Sequence, residues 1–138
     1  QGYVRYGYNF GNKKIWKPRK VVFANIFCLK GTKEELQNIP KQYVEIQKGK
    51  ILLITKGKLG CEIFAFGKRY NIKPSKVIAS KNTIGAGDTF FAYFVSRFAK
   101  TAKVLDSAKY AVKKTSLFLS AQNNHHHNQL FLEEIGCG

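Results

Sequence analysis

The sequence predicts an α/β fold from three observations: short apolar runs of strand length, a two-residue turn between alternating segments, and helical periodicity in the stretches between and after them. The first run, Lys20-Val21-Val22-Phe23-Ala24-Asn25, is apolar and ends in a polar residue. That suits a buried parallel strand whose carboxyl end opens at a site. Residues 31–36 then read as a short helix, with Thr32 as N-cap and Glu35 three positions on as its capping-box partner. Pro40 ends that helix, and residues 50–55 form a second buried strand of the same kind.

Residues 61–66 and 69–72 alternate as two strands of a hairpin around Gly67-Lys68, a Gly-X turn. Lys73-Pro74 and a connecting strand near Val77 and Ile78 lead to Asn82-Thr83-Ile84-Gly85-Ala86-Gly87-Asp88. The residues that follow, from Thr89 to Val95, are apolar nearly all round, the pattern of a helix buried on most sides. A further helix is predicted over residues 103–119. Val104, Leu105, Ala108, Ala111, Val112, Thr115 and Leu119 make its apolar face, with Lys103, Lys109, Lys113 and Lys114 largely off it. Beyond Ser120 the chain turns to Gln and Asn before a brief Leu130-Phe131-Leu132, so residues 121–138 are expected to be a polar tail or loop.

With 138 residues, 44% of them hydrophobic, the chain has the length of one domain and enough apolar content for a buried core. It has no apolar run of membrane-spanning length, and Gln1 to Tyr8 lack the layout of a secretory signal, so a cytoplasmic protein is expected. No methionine occurs, which suggests a missing upstream segment. Cys28, Cys61 and Cys137 are too scattered for a disulfide framework or a structural zinc site. His125, His126 and His127 are consecutive, so their side chains diverge, and no metal-binding residue is assigned. The net charge of +16 attracts phosphorylated ligands or nucleic acid. Because the lysines are dispersed, with no basic arm or Arg-rich block, a solvated surface is the expected reading.

The glycine-rich turn carries the chemistry. Gly85 and Gly87 let backbone N–H groups approach a ligand at a helix start, where the macrodipole already favours negative charge. Backbone donors of Gly85, Ala86 and Gly87 would make an anion hole for a phosphoryl group in transfer, and Asp88 could accept a proton from the attacking hydroxyl. The same string is also what an ordinary helix start with an acidic first-turn residue looks like.

The order of elements favours the first reading. Thr55-Lys56-Gly57 ends a buried strand, Gly60 and a hairpin follow, and Gly85-Ala86-Gly87-Asp88 opens an apolar helix. This order resembles the carboxyl-terminal, nucleotide-binding half of the ribokinase-like (PfkB) carbohydrate kinases, over residues 1–120. Thr83, Gly85, Ala86, Gly87, Asp88 and Phe90 match the family signature Asp-Thr-x-Gly-Ala-Gly-Asp-x-Phe, and Thr55, Gly57 and Gly60 match its Thr-x-Gly-x-x-Gly. Asn25 matches half of its Asn-x-x-Glu, and Gln1-Gly2 with Arg5 looks like the segment after its Asp-Pro.

The resemblance implies a Rossmann-like fold and ATP-dependent transfer to a hydroxyl of a sugar or nucleoside. Asp88 would be the base, and Asn25, Thr55, Lys56, Gly57, Lys58 and Gly60 would line the nucleotide. It also implies an absent amino-terminal half that carries most sugar contacts and a lid, through which full-length members form dimers. Departures temper it. Cys28 stands where the family has the Glu that organises Mg²⁺, which weakens the magnesium expectation. Asn82 replaces the Asp that ligates a monovalent cation, so potassium activation is not expected, and residues 121–138 replace the small-residue loop that closes over adenine. Two alternatives stay open. One is an inactive kinase remnant. The other is a basic nucleic-acid-binding domain using Tyr3, Tyr6, Tyr8, Phe10 and Trp16 among Arg5, Lys13, Lys14 and Lys17.

Overall fold

The computed structural model describes residues 18–79 and 83–135, with side chains through Asn123. Gln1, Gly2, Arg5, the aromatic residues up to Trp16, Asn82, Cys137 and the three histidine side chains lie outside the described residues. The chain divides into two units, residues 1–56 with 61–71 and residues 57–60 with 72–138.

The first unit corrects the opening strand. Residues expected to pair in a sheet instead form a short helix, α1 (Lys20–Ala24). Of its residues only Phe23 is buried, stacking on Tyr43 with ring centroids 4.4 Å apart, while Val21 and Val22 are 66% and 51% exposed. A parallel strand needs cover on both faces, whereas a single turn of helix here needs to bury one side chain.

The strand that does form is β1 (Cys28–Thr32), followed by α2 (Lys33–Leu36) with the capping box as expected. The Glu35 N–H donates to Thr32 Oγ1 at 3.2 Å, and the Thr32 N–H donates to Glu35 Oε2 at 2.9 Å. A helix that the sequence reading missed, α3 (Lys41–Lys48), starts directly after Pro40. Proline ends the preceding turn by lacking an N–H, yet at a helix start that N–H is not needed, so one residue both stops α2 and opens α3.

Strand β2 (Ile51–Thr55) pairs in parallel with β1, from Cys28 opposite Ile51 to Thr32 opposite Thr55. β3 (Cys61–Ala65) pairs antiparallel to β2, and β4 (Lys68–Ile72) completes the order β1-β2-β3-β4. Leu52, Ile54 and Phe64 share one face and pack with Leu36, Ile39, Tyr43 and Val44 of the helical segment. Ile51, Leu53, Cys61, Ile63 and Ala65 on the other face are buried too, and burial on both faces is why β2 reads as an unbroken apolar run. The fully buried Gln47 amide donates to Phe27 O at 3.1 Å and Ile51 O at 3.0 Å, tying the starts of β1 and β2 together.

The hairpin turn is one residue earlier than expected. Phe66 and Gly67, with φ of 51° and 79°, form its centre. Two left-handed residues give the turn whose twist matches paired strands, so the sheet imposes a strained conformation on Phe66.

In the second unit the expected strand near Val77 and Ile78 is absent: this segment is irregular, and Val77 is 54% exposed. Two helices, α4 (Ala86–Thr101) and α5 (Val104–Ile135), pack together through a two-residue link. α4 is not buried on most sides. Of its aromatic run only Phe90 and Phe94 are buried, and Val95 is 46% exposed. α5 begins as predicted and buries Ala108, Ala111, Val112 and Leu119, but its backbone stays helical past Ser120 to Ile135. No helix among the described residues is long and apolar enough to cross a membrane.

Candidate functional site

The expected site residues fall in both units, and each group has its own construction. In the second unit, Gly85 is the N-cap of α4 with φ of 79°, a left-handed conformation that a side chain disfavours by about 1–2 kcal/mol. No side chain caps this helix start. The Ala86 N–H donates to Thr83 O at 3.1 Å, so of the three expected anion-hole amides that one is engaged, and the Thr89 N–H closes the first helical turn onto Gly85 O at 2.8 Å. Asp88 sits in that first turn and is exposed. From α5, Phe118 approaches the turn: a Cβ placed on Gly85 would lie 4.0 Å from its ring. Farther along α5, the Asn123 amide donates to Ala79 O at 2.9 Å, fastening the helix to the segment that precedes the turn.

Gly57 and Gly60 bound a 3-10 turn (Gly57–Leu59), and both have positive φ, 57° and 93°. They differ in surroundings. A Cβ on Gly57 would meet nothing, whereas one on Gly60 would run into the Ile72 carbonyl oxygen, so only glycine allows that close approach of backbone to backbone. Lys58 is exposed on this turn.

In the first unit, Thr55 ends β2 directly opposite Thr32, the last residue of β1, and its hydroxyl donates to Gly31 O at 3.4 Å. Lys56, expected to attract phosphate, is held in an ion pair with Glu62 at 2.9 Å, and Arg69 binds the other carboxylate oxygen of Glu62. Burial pushes the Glu62 carboxyl up, but hydrogen bonds and charges from Lys56 and Arg69 outweigh it and hold the group below its usual range.

Asn25 is not brought to this end of the sheet. It follows α1, before β1 begins, with its amide donating to Val21 O at 2.8 Å. Cys28 opens β1 at the end remote from Thr32. The polar-x-x-Glu spacing that Asn25 half satisfies is met in full by Thr32 and Glu35, at the carboxyl end of β1 beside Thr55. Sequence reading found these two as a capping box but gave them no site role, because the strand had been placed too early.

Burial pushes the thiols of Cys28 and Cys61 up to about 12, so both stay protonated near neutrality. Among the described residues no group of three His, Cys, Asp or Glu converges as metal ligands, and Glu35 is engaged by its capping box. A cavity of about 550 Å³ beside α2 and α3 is lined by Lys33, Ile39, Lys48, Ile54, Phe64 and Arg69 among others, and none of the expected site residues lines it.

A family model described as pfkB family carbohydrate kinase matches residues 19–126. No curated protein sequence matches the chain. Among solved structures, a sulfate complex of a pyrophosphate-dependent kinase in the ribokinase family is similar with a TM-score of 0.72 and 22% identity, over 87% of this chain and 45% of its own. A pyrophosphate-dependent kinase of the same family, complexed with a pyrophosphate analog and myo-inositol, gives 0.70 and 23%, over 87% and 46%. Fructokinase from Vibrio cholerae O395 with fructose, ADP and calcium gives 0.57 and 21%, over 67% and 34%. At these identities the likeness is one of fold: an α/β, ribokinase-type architecture. The chain spans about half the length of the two pyrophosphate-dependent structures, or less than that of the fructokinase.

Proposed function

Because the chain belongs to the pfkB family of carbohydrate kinases, we propose that it serves ATP-dependent transfer of a phosphoryl group to a hydroxyl of a sugar or nucleoside. The observation that carries this reading is the start of α4, where a left-handed Gly85 leaves the helix end without a side-chain cap and the first turn presents Asp88. In the reaction Asp88 takes the proton of the acceptor hydroxyl as its oxygen attacks the terminal phosphorus of ATP, whose bond to the bridging oxygen breaks so that ADP leaves. Amides of Gly85, Ala86 and Gly87 stabilise charge on the transferred group, Ala86 doing so once its bond to Thr83 O is released. Residues 55–60 line the donor, with Thr55 and Gly60 shaping its backbone contacts and Lys58 adding positive charge.

One observation favours a second reading, with pyrophosphate as donor. The family resemblance implies a loop over adenine after the late helix, and here α5 continues through Ile135. A continuous helix suits a donor with no base to enclose.

The test is turnover by the protein with ATP and with pyrophosphate, each with Mg²⁺, against a panel of sugars, nucleosides and inositols. Asp88→Asn is expected to lower turnover with the preferred donor by at least about a hundredfold. Unchanged turnover would refute Asp88 as the base, and inactivity with every donor would favour the decayed-kinase alternative.

A further inference from the structure

The α4–α5 pair is rich in cations. Residues 86–123 contain six, Arg97, Lys100, Lys103, Lys109, Lys113 and Lys114, against two acids, Asp88 and Asp106. Asp106 is paired with Arg97 at 2.8 Å. Lys100, Lys103, Lys109 and Lys113 are exposed and have no acidic partner among the described residues. Tyr110 and Lys114, four residues apart, lie on one stripe of α5, with Lys103 in the link just before the helix.

Tyr110 organises this stripe. Arg97 of α4 lies 5.4 Å from its ring centroid and Lys114 lies 5.7 Å from it, so one aromatic face system holds two cations that repel each other. Tyr93 of α4 meets the same ring edge-on at 5.9 Å. Both tyrosines are partly exposed. The result is a basic surface with two aromatic rings in it, whose uncompensated repulsion a polyanion would relieve.

We propose that this face of α4 and α5 binds single-stranded nucleic acid, with the lysines on phosphates and Tyr93 and Tyr110 beside the bases. A membrane surface fits less well. An interfacial helix must offer its apolar face to lipid, and here Ala108, Ala111, Val112 and Leu119 of α5 are buried.

The test is fluorescence anisotropy of the full chain with a labelled 20-nucleotide single strand, as oligo(dT) and as oligo(U), across a salt series. Binding is expected to weaken steeply with salt. The triple substitution Lys109→Ala, Lys113→Ala, Lys114→Ala should lower affinity at low salt about tenfold or more and reduce the log–log salt slope by about two, given about 0.7 per neutralised phosphate. A control triple of equal charge, Lys33→Ala, Lys41→Ala, Lys76→Ala, should lower affinity less than about threefold, and Gly87→Val should leave it unchanged. Lys109→Gln with Lys113→Gln, both at exposed positions, is the milder variant if the first triple loses helical circular dichroism. Absence of binding, equal loss in the two triples, or preference for phosphatidylserine vesicles through these same lysines would overturn the proposal.

Discussion

The carboxyl end of β1 and β2 and the start of α4 reach order by opposite means. At the first, side chains are tied to one another: Thr32 and Glu35 exchange two hydrogen bonds, Thr55 is bonded to Gly31 O, and Glu62 holds Lys56 and Arg69. At the second, Gly85 supplies a left-handed turn and no side chain caps the helix. Saturated side chains make a rigid wall with little capacity left for a ligand. A glycine-built helix start with no side-chain cap has backbone donors for one beyond the Ala86 N–H, which Thr83 O engages. This contrast is the physical reason for assigning chemistry to the α4 turn and a supporting role to the strand ends.

Substitutions can break the contrast. The largest structural effect is expected from Gly60→Ala, because the new methyl collides with the Ile72 carbonyl as well as straining φ, while Gly57→Ala is strained only. Thermal or urea unfolding should show Gly57→Ala costing about 1–2 kcal/mol and Gly60→Ala clearly more. Equal losses would mean that the backbone at Gly60 yields easily. Next comes Thr32→Ala, which removes the capping-box acceptor and should cost about 1 kcal/mol by the same measurement. A null effect would show that α2 is held by Leu36 alone.

The smallest effect is electrostatic. Glu62 has a lowered pKa in the folded chain, so its contribution is fully present above the unfolded value of about 4.3 and is lost as pH falls toward the folded one. Glu62→Gln should therefore flatten the acid limb of stability below about pH 4.3. With both cationic partners partly exposed, about 1 kcal/mol is at stake. A mutant whose acid limb matches that of the parent would remove Glu62 from the account. The thiols give a further check: half-buried Cys28 and buried Cys61 should resist alkylation at neutral pH until the chain unfolds, as mapped by mass spectrometry.

What the sequence made legible was local. The capping box at Thr32 and Glu35, the run in β2, and the glycine turn before α4 each depend on neighbours in the chain, and each formed as read. The misreadings share a different cause. Val21 and Val22 look like strand residues, but whether a sheet position exists for them is decided by Phe23 packing on the distant Tyr43. Placing the strand there gave Asn25 a site role and gave Thr32 only a capping role. α3 was missed because Pro40 was read only as a stop. The length of α5 was missed because polar Gln and Asn after Ser120 resemble a loop, although Asn123 is fastened to Ala79 O. What is tertiary in the basic surface of α4 and α5 is the meeting of Arg97 and Lys114 at Tyr110.

The central claim is that the α4 turn receives a phosphoryl donor, and calorimetric titration with ATP and with pyrophosphate, each with Mg²⁺, tests it directly. The account predicts binding of at least one donor, abolished by Gly87→Val, whose branched side chain crowds the first-turn amides while leaving β1 to β4 untouched. Donor binding of equal strength by the parent and the Gly87→Val chain would contradict it.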